Sequence, residues 1–262
     1  MKSGLRAVEL LPHGGTPRWI NIRELTGHEE LALDAEVDAA RSELHTLAGL
    51  VDAVWVREES DAFPHGLDLP LADRDRILAE IARAIFGATL ETHSTCSHCA
   101  ATVVWSIPLD GVLAAVAPSA AVAVEPDGTL RIQGVRLSPP SSRDILSARG
   151  DAQALAARCW RSPEPVDRDR LGYALEAGYP PLDLDLGTCC FECGESCGSR
   201  LEIGSVLLRG MVRERALLMR EVHVLSRTHR WTLSEILDLP RSRRHEFVRF
   251  ALDAAPPKEP AA

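Results

Sequence analysis

The 262 residues, 45% hydrophobic and 26% charged, have globular statistics and suffice for one large domain or two small ones. A formal net charge of −9 disfavours sequence-blind attraction to phosphate backbones, which depends on accumulated Lys and Arg. No apolar run approaches the roughly 20 residues that span a bilayer, and no secretory leader pattern stands near the start, so the expectation is a soluble, cytoplasmic protein with no membrane partner.

Leu5 to Arg23 reads as two short strands about a His13-Gly14-Gly15-Thr16-Pro17 turn. Thr26 and Glu29 have capping-box spacing, and Leu33, Val37, Ala40, Leu44, Leu47 and Val51 then recur at steps of three and four, predicting an amphipathic helix. A second helix carries Ile77, Ile81 and Ile85 and stops at Gly87. Cys96-Ser97-His98-Cys99 reads as a knuckle, and the β-branched and aromatic run from Thr102 to Ile107 as a strand. Val122 to Val124 and Leu130 to Ile132 flank a Pro126-Asp127-Gly128 turn, predicting a hairpin. Two or three short helices fall between Arg143 and Gly178, with Asp151 as one N-cap. Leu182 to Leu186 alternates as a half-exposed strand does and leads into Cys190-Phe191-Glu192-Cys193-Gly194. A long helix carries Leu207, Met211, Leu218, Val222 and Leu225. A short one is capped by Thr232 and Glu235 and ended by Pro240, and a last one runs through Phe247 and Phe250. The expected fold is α+β, mostly helical, with a split zinc-ribbon-like β part joining two halves. Residues 1–89 form an N-terminal hairpin and helices, and 90–204 a β-rich region with two knuckles and inserted helices. Residues 205–255 are C-terminal helices and 256–262 a flexible tail.

Seven cysteines, four of them in two Cys-x-x-Cys pairs, suit metal ligation in a reducing compartment better than a disulfide framework. Two such pairs complete the tetrahedral thiolate shell that Zn2+ accepts, so Cys96, Cys99, Cys190 and Cys193 are the expected ligands of one structural zinc ion. Cys189, Cys197, His93 and His98 are alternative ligands by proximity, and Cys159 reads as a small buried residue. Gly194 helps the second knuckle turn, and Ala100 stands at the equivalent place in the first. Each pair lies between two expected strands and is followed by a possible helix start near Asp110 or Ser205, an internal echo between the two halves. A full thiolate shell leaves no open position for catalysis, and strands rather than a helix follow each pair, unlike a thioredoxin-type redox site. No phosphate-binding glycine loop, nucleophile elbow or His-Glu-x-x-His motif is present, so no enzyme is expected.

The most individual stretch is Glu221-Val222-His223-Val224-Leu225, then His229-Arg230-Trp231, then Glu235 through Arg244. Its apolar positions have core spacing, its arginines read as a solvated face, and His223, Trp231, Arg243 and Arg244 are candidate partner-binding residues. Together with Leu25-Thr26-Gly27, Glu29-Glu30, Val135-Arg136-Leu137 to Asp144 and the two cysteine pairs, this stretch resembles the T4-type bacteriophage baseplate hub assembly family of phages and contractile injection systems. Ser138-Pro139-Pro140-Ser141-Ser142 departs from the Pro-Thr-Gly-like turn of that pattern, and Cys189-Cys190 is an unusual doubling. The resemblance implies a non-enzymatic hub component or assembly factor that acts in the cytoplasm of the producing bacterium and binds hub, spike or other tail subunits, with retention in the finished baseplate left open. A zinc-ribbon nucleic-acid-binding regulator using Arg241, Arg243, Arg244 and Arg249 is the rival reading, disfavoured by the acidic charge and by the lack of interleaved aromatics. A thiol oxidoreductase ranks last.

Overall fold

The computed structural model describes residues 5–32, 40–57 and 65–253. The chain is α+β, with helical residues outnumbering strand residues and with four small antiparallel sheets among the described residues. No helix among them is long and apolar enough to cross a membrane. The expected tail from Pro256 to Ala262 lies outside the described residues, as do Leu33 and Val37 of the first expected helix.

Strands β1 (Leu5–His13) and β2 (Thr16–Arg23) form the first hairpin. Helices α1 (Gly27–Leu31) and α2 (Ala40–Val54) follow, then β3 (Trp55–Val56), a short third strand beside β2. Helix α3 (Leu71–Phe86) buries Ile77, Leu78 and Ile81 and ends where the Gly87 N–H bonds to the Arg83 carbonyl. Next come β4 (Thr89–Thr95), β5 (Thr102–Pro108) and α4 (Leu109–Ala115). Strands β6 (Ala123–Val124) and β7 (Leu130–Ile132) make the expected hairpin about Asp127, and β8 (Val135–Leu137) extends it through a two-residue Gln133-Gly134 turn. Three short helices, α5 (Ser142–Ala148), α6 (Ala152–Cys159) and α7 (Arg168–Gly178), start at side-chain caps from Ser141, Asp151 and Asp167. Strands β9 (Asp183–Cys189) and β10 (Ser196–Glu202) precede α8 (Ile203–His229), α9 (Leu233–Leu237) and α10 (Arg241–Asp253).

Two compact units result, one of Met1–Arg23 with Val37–Leu207, the other of Glu24–Glu36 with Leu208–Ala262. In the first, Leu11, Leu130, Leu137, Trp160 and Leu171 share one apolar core. Helix α3 carries the charges that orient its neighbours. Fully buried Asp73 accepts the Leu11 N–H at 2.9 Å and pairs with Arg18 at 2.8 Å, fixing the first hairpin. Arg74 bonds to Ser142 at the start of α5, while Asp75, paired with Arg74 at 2.7 Å, accepts the Leu182 N–H just before β9. These partners satisfy groups whose burial would otherwise cost several kcal/mol.

The second unit is built about an arginine. Arg244 is 0% exposed and bonds to Glu30 at 2.8 Å, Glu221 at 3.0 Å and the Leu239 carbonyl at 2.9 Å. Arg241 pairs with Glu30 at 3.1 Å and Glu214 at 2.6 Å. The expectation of a solvated arginine face is therefore corrected for both residues, because each faces carboxylates brought in by α1 and α8. Thr26 bridges Pro240, the Arg241 N–H reaches the Leu25 carbonyl, and a Cβ on Gly27 would come within 2.6 Å of the Leu237 side chain. The Leu-Thr-Gly motif thus needs its glycine for close approach. Capping boxes at Thr26 with Glu29 and Thr232 with Glu235 form as expected.

Candidate metal centre

The two cysteine hairpins repeat one plan. Cys96 and Cys190 are 94 positions apart in sequence, as are Cys99 and Cys193, and the same offset carries β4 onto β9 and β5 onto β10. Register agrees as well: Thr89 pairs with Pro108 and Thr95 with Thr102, while Asp183 pairs with Glu202 and Cys189 with Ser196. At the base of each hairpin the first helical residue closes the ladder, Leu109 N–H to the Ala88 carbonyl at 2.9 Å and Ile203 N–H to the Leu182 carbonyl at 3.2 Å. Buried positions correspond too, with Val103 matched by Cys197 and Ile107 by Leu201.

The knuckles share their hydrogen bonds. The Cys96 N–H bonds to the Ala101 carbonyl at 2.8 Å and the Ala100 N–H to the Cys96 carbonyl at 2.9 Å; Cys190 with Glu195, and Gly194 with Cys190, repeat both distances. The turn requires a left-handed residue, which is Gly194 at φ +75° in one knuckle and Ala100 at φ +60° in the other. A residue with a Cβ there costs on the order of 1 kcal/mol, so the first knuckle carries strain that the second avoids.

All four ligand sulfurs lie within 4.8 Å of one another. Two contacts run between hairpins, Cys96 to Cys193 at 3.8 Å and Cys99 to Cys190 at 3.7 Å. A disulfide would need about 2.0 Å. A tetrahedron with metal–sulfur bonds of about 2.3 Å has edges of about 3.8 Å. The spacing therefore fits four thiolates around one sulfur-preferring ion such as zinc.

Backbone N–H groups are aimed at the buried sulfurs. Those of Cys99 and His98 favour the Cys96 thiolate and bring it down to about 6, and those of Cys193 and Glu192 lower Cys190. At Cys193 the Glu195 N–H acts in the same sense, but desolvation and the neighbouring thiols outweigh it and push that thiol up to about 12. Four thiolates this close need a cation to offset their mutual repulsion, which is the charge a divalent ion supplies when bound. Its shell would be complete, with no position left for substrate.

Of the alternative ligands, Cys189, His93 and His98 are exposed and stand outside the sulfur cluster. Cys197 is buried beside it, its thiol pushed up to about 11 by hydrogen bonding to the Cys96 sulfur and by desolvation. Cys159 is buried in the apolar core, and burial raises its thiol to about 11.

The partner-binding candidates fare differently from the ligands. His223 is exposed on α8, and Arg243 is exposed and paired with Glu246 at 2.9 Å. Trp231 is half-buried, stacked on His229 at 4.8 Å and edge-on to Phe247 at 5.0 Å. Arg244 is buried and has no surface to offer. A further candidate, Phe191, stands 97% exposed between two of the clustered cysteines. Its signal was present, because a tight turn that points both flanking sulfurs inward forces the intervening side chain out. Comparison of the chain with protein-family models, with curated proteins and with solved structures gives no match.

Proposed function

We propose that this chain is a non-enzymatic baseplate hub component or assembly factor of a contractile tail or injection system, clipped by one structural zinc in a split zinc-ribbon-like pair of hairpins. The observation that carries the reading is a rigid aromatic tip. Phe191 projects into solvent from a turn whose two ends are fixed as metal ligands, so little conformational entropy is left to lose when a partner covers it. Glu192 and Glu195 flank it, which suits an apolar pocket with a basic rim on a tail subunit. The family resemblance gains support from the second unit, where Leu25, Thr26, Gly27 and Glu30 meet Leu237, Pro240, Arg241 and Arg244 as one structural motif. The rival nucleic-acid reading loses Arg241 and Arg244 to internal ion pairs.

The test is deletion of the gene in the producing bacterium, complementation with wild type or Phe191→Asp, electron microscopy of particles, and affinity capture of the tagged chain. Wild type should restore complete baseplates and capture a hub, spike or other tail subunit. Phe191→Asp should melt like wild type yet lose that subunit. Normal contractile particles without the gene, with no tail component captured, would remove the assembly reading.

A further inference from the structure

Within the first unit, and separate from the cysteine cluster, α2, α5 and α6 line a cleft of about 460 Å3. Its polar walls are His45, Arg143, Ser147, Arg149 and Arg158, and its apolar side is Leu67 and Leu146. No carboxylate lines it, although the chain as a whole carries a net charge of −9. A concave site whose titratable lining is basic alone, on an acidic protein, marks a local reversal of potential that focuses anions.

The acids that do touch these arginines stand outside the lining. Asp68 holds Arg143 by a two-point ion pair, using both of its oxygens. Asp144 lies 3.6 Å from Arg158 through one oxygen, while its other oxygen accepts the Ser141 N–H and hydroxyl as a helix cap. Arg143 and Arg158 are therefore orientated by groups at their backs, and Arg158 is only loosely neutralised. Arg149 has no ion pair among the described residues. It sits at the C-cap of α5 with φ +52°, a left-handed position that glycine or asparagine fills more cheaply, and Gly150 follows at φ +84°. An unpaired guanidinium thus occupies a strained position beside two braced ones.

We propose that this cleft binds a phosphoryl group. Asp68 and Asp144 offset two of the three guanidiniums, which leaves positive charge over at Arg149, and planar guanidinium donors match the several oxygens of a tetrahedral dianion. The Ser147 hydroxyl adds a neutral donor. Free phosphate and a phosphorylated side chain present the same chemistry, and the cleft is open enough to admit either.

The experiment is calorimetric titration of the full chain at low ionic strength with inorganic phosphate, and separately with a short phosphoserine peptide and its unphosphorylated form. Arg149→Gly is the diagnostic variant, since it removes the guanidinium while relieving the backbone, so its Tm should equal or exceed wild type. Wild type should bind phosphate saturably and Arg149→Gly about tenfold more weakly. Arg131→Ala, an exposed arginine on β7 outside the cleft, should bind as wild type does. Tighter binding of the phosphopeptide than of phosphate would assign the site to a phosphorylated partner, and equal or weaker binding to the free anion. Absence of saturable binding to both, or equal affinity in wild type and Arg149→Gly, would overturn the proposal.

Discussion

The two units fasten distant segments by opposite means. In the first, Cys99 and Cys190, 91 residues apart, meet in a set of like-charged donors that needs a cation from outside. In the second, Arg244 and Glu30, 214 residues apart, meet in a cluster whose cations are encoded in the chain. Two arginines there face three carboxylates, Glu30, Glu214 and Glu221, and His245 lies 2.7 Å from Glu221. With a metal bound, the hairpin pair would depend on metal supply and reduced thiols, whereas the arginine cluster needs only ionised carboxylates. Metal removal should therefore weaken the first unit and leave the second unchanged.

Removing the metal is the largest expected effect. Chelation, or Cys190→Ser, should abolish the one metal equivalent found per chain by elemental analysis and lower the Tm more than any surface substitution. Hydrogen exchange should then quicken across residues 89–108 and 183–202 and stay slow in the core of α8 and α10. If chelated protein melts like untreated protein, the hairpins hold by themselves and the contrast between the units fails.

Arg244→Met comes next. It removes the cation that Glu30 and Glu221 share, leaving Glu30 to Arg241 and Glu221 to His245, which should cost about 3 kcal/mol in denaturant titrations. Arg243→Ala, one position away but exposed, should change stability by less than about 1 kcal/mol. As a solvated arginine face the two residues would be alike; their ion pairs and burial separate them. A loss below about 1 kcal/mol for Arg244→Met would show that the cluster is solvated rather than load-carrying.

The smallest effect separates the two knuckles. Ala100→Gly should stabilise the metal-loaded protein by about 1 kcal/mol and Gly194→Ala should destabilise it by a similar amount, since both positions are left-handed. Opposite signs in chemical denaturation support the shared turn, and equal signs would refute it.

Both capping boxes, the cysteine ligands and most helices were legible because each rests on spacing within a few residues. Thr-x-x-Glu or Cys-x-x-Cys carries its geometry with it. Strands β3 and β8 were not legible, because two or three residues are too few to show alternation. Arg244 was hidden for a different reason. It lies in an arginine-rich helix where a solvated face and an ion-paired interior have the same local composition, and only Glu30 and Glu221 distinguish them. The cysteine cluster could be guessed across a long gap because both halves repeat one rare pattern. An Arg–Glu pair offers no such label.

Long sequence separations also set a timetable for synthesis. At about 5–20 residues per second, the first knuckle leaves the ribosome with two sulfurs and waits roughly 5–20 s for the pair that would complete a metal shell. Glu30 waits longer, roughly 10–40 s, for Arg244. During that interval the nascent chain presents an unfilled pair of thiols and an unanswered carboxylate, so a free-metal shortage or an early oxidant acts on the protein before it is finished. The yield of correctly folded chain in the cell should therefore track metal availability during translation rather than after it.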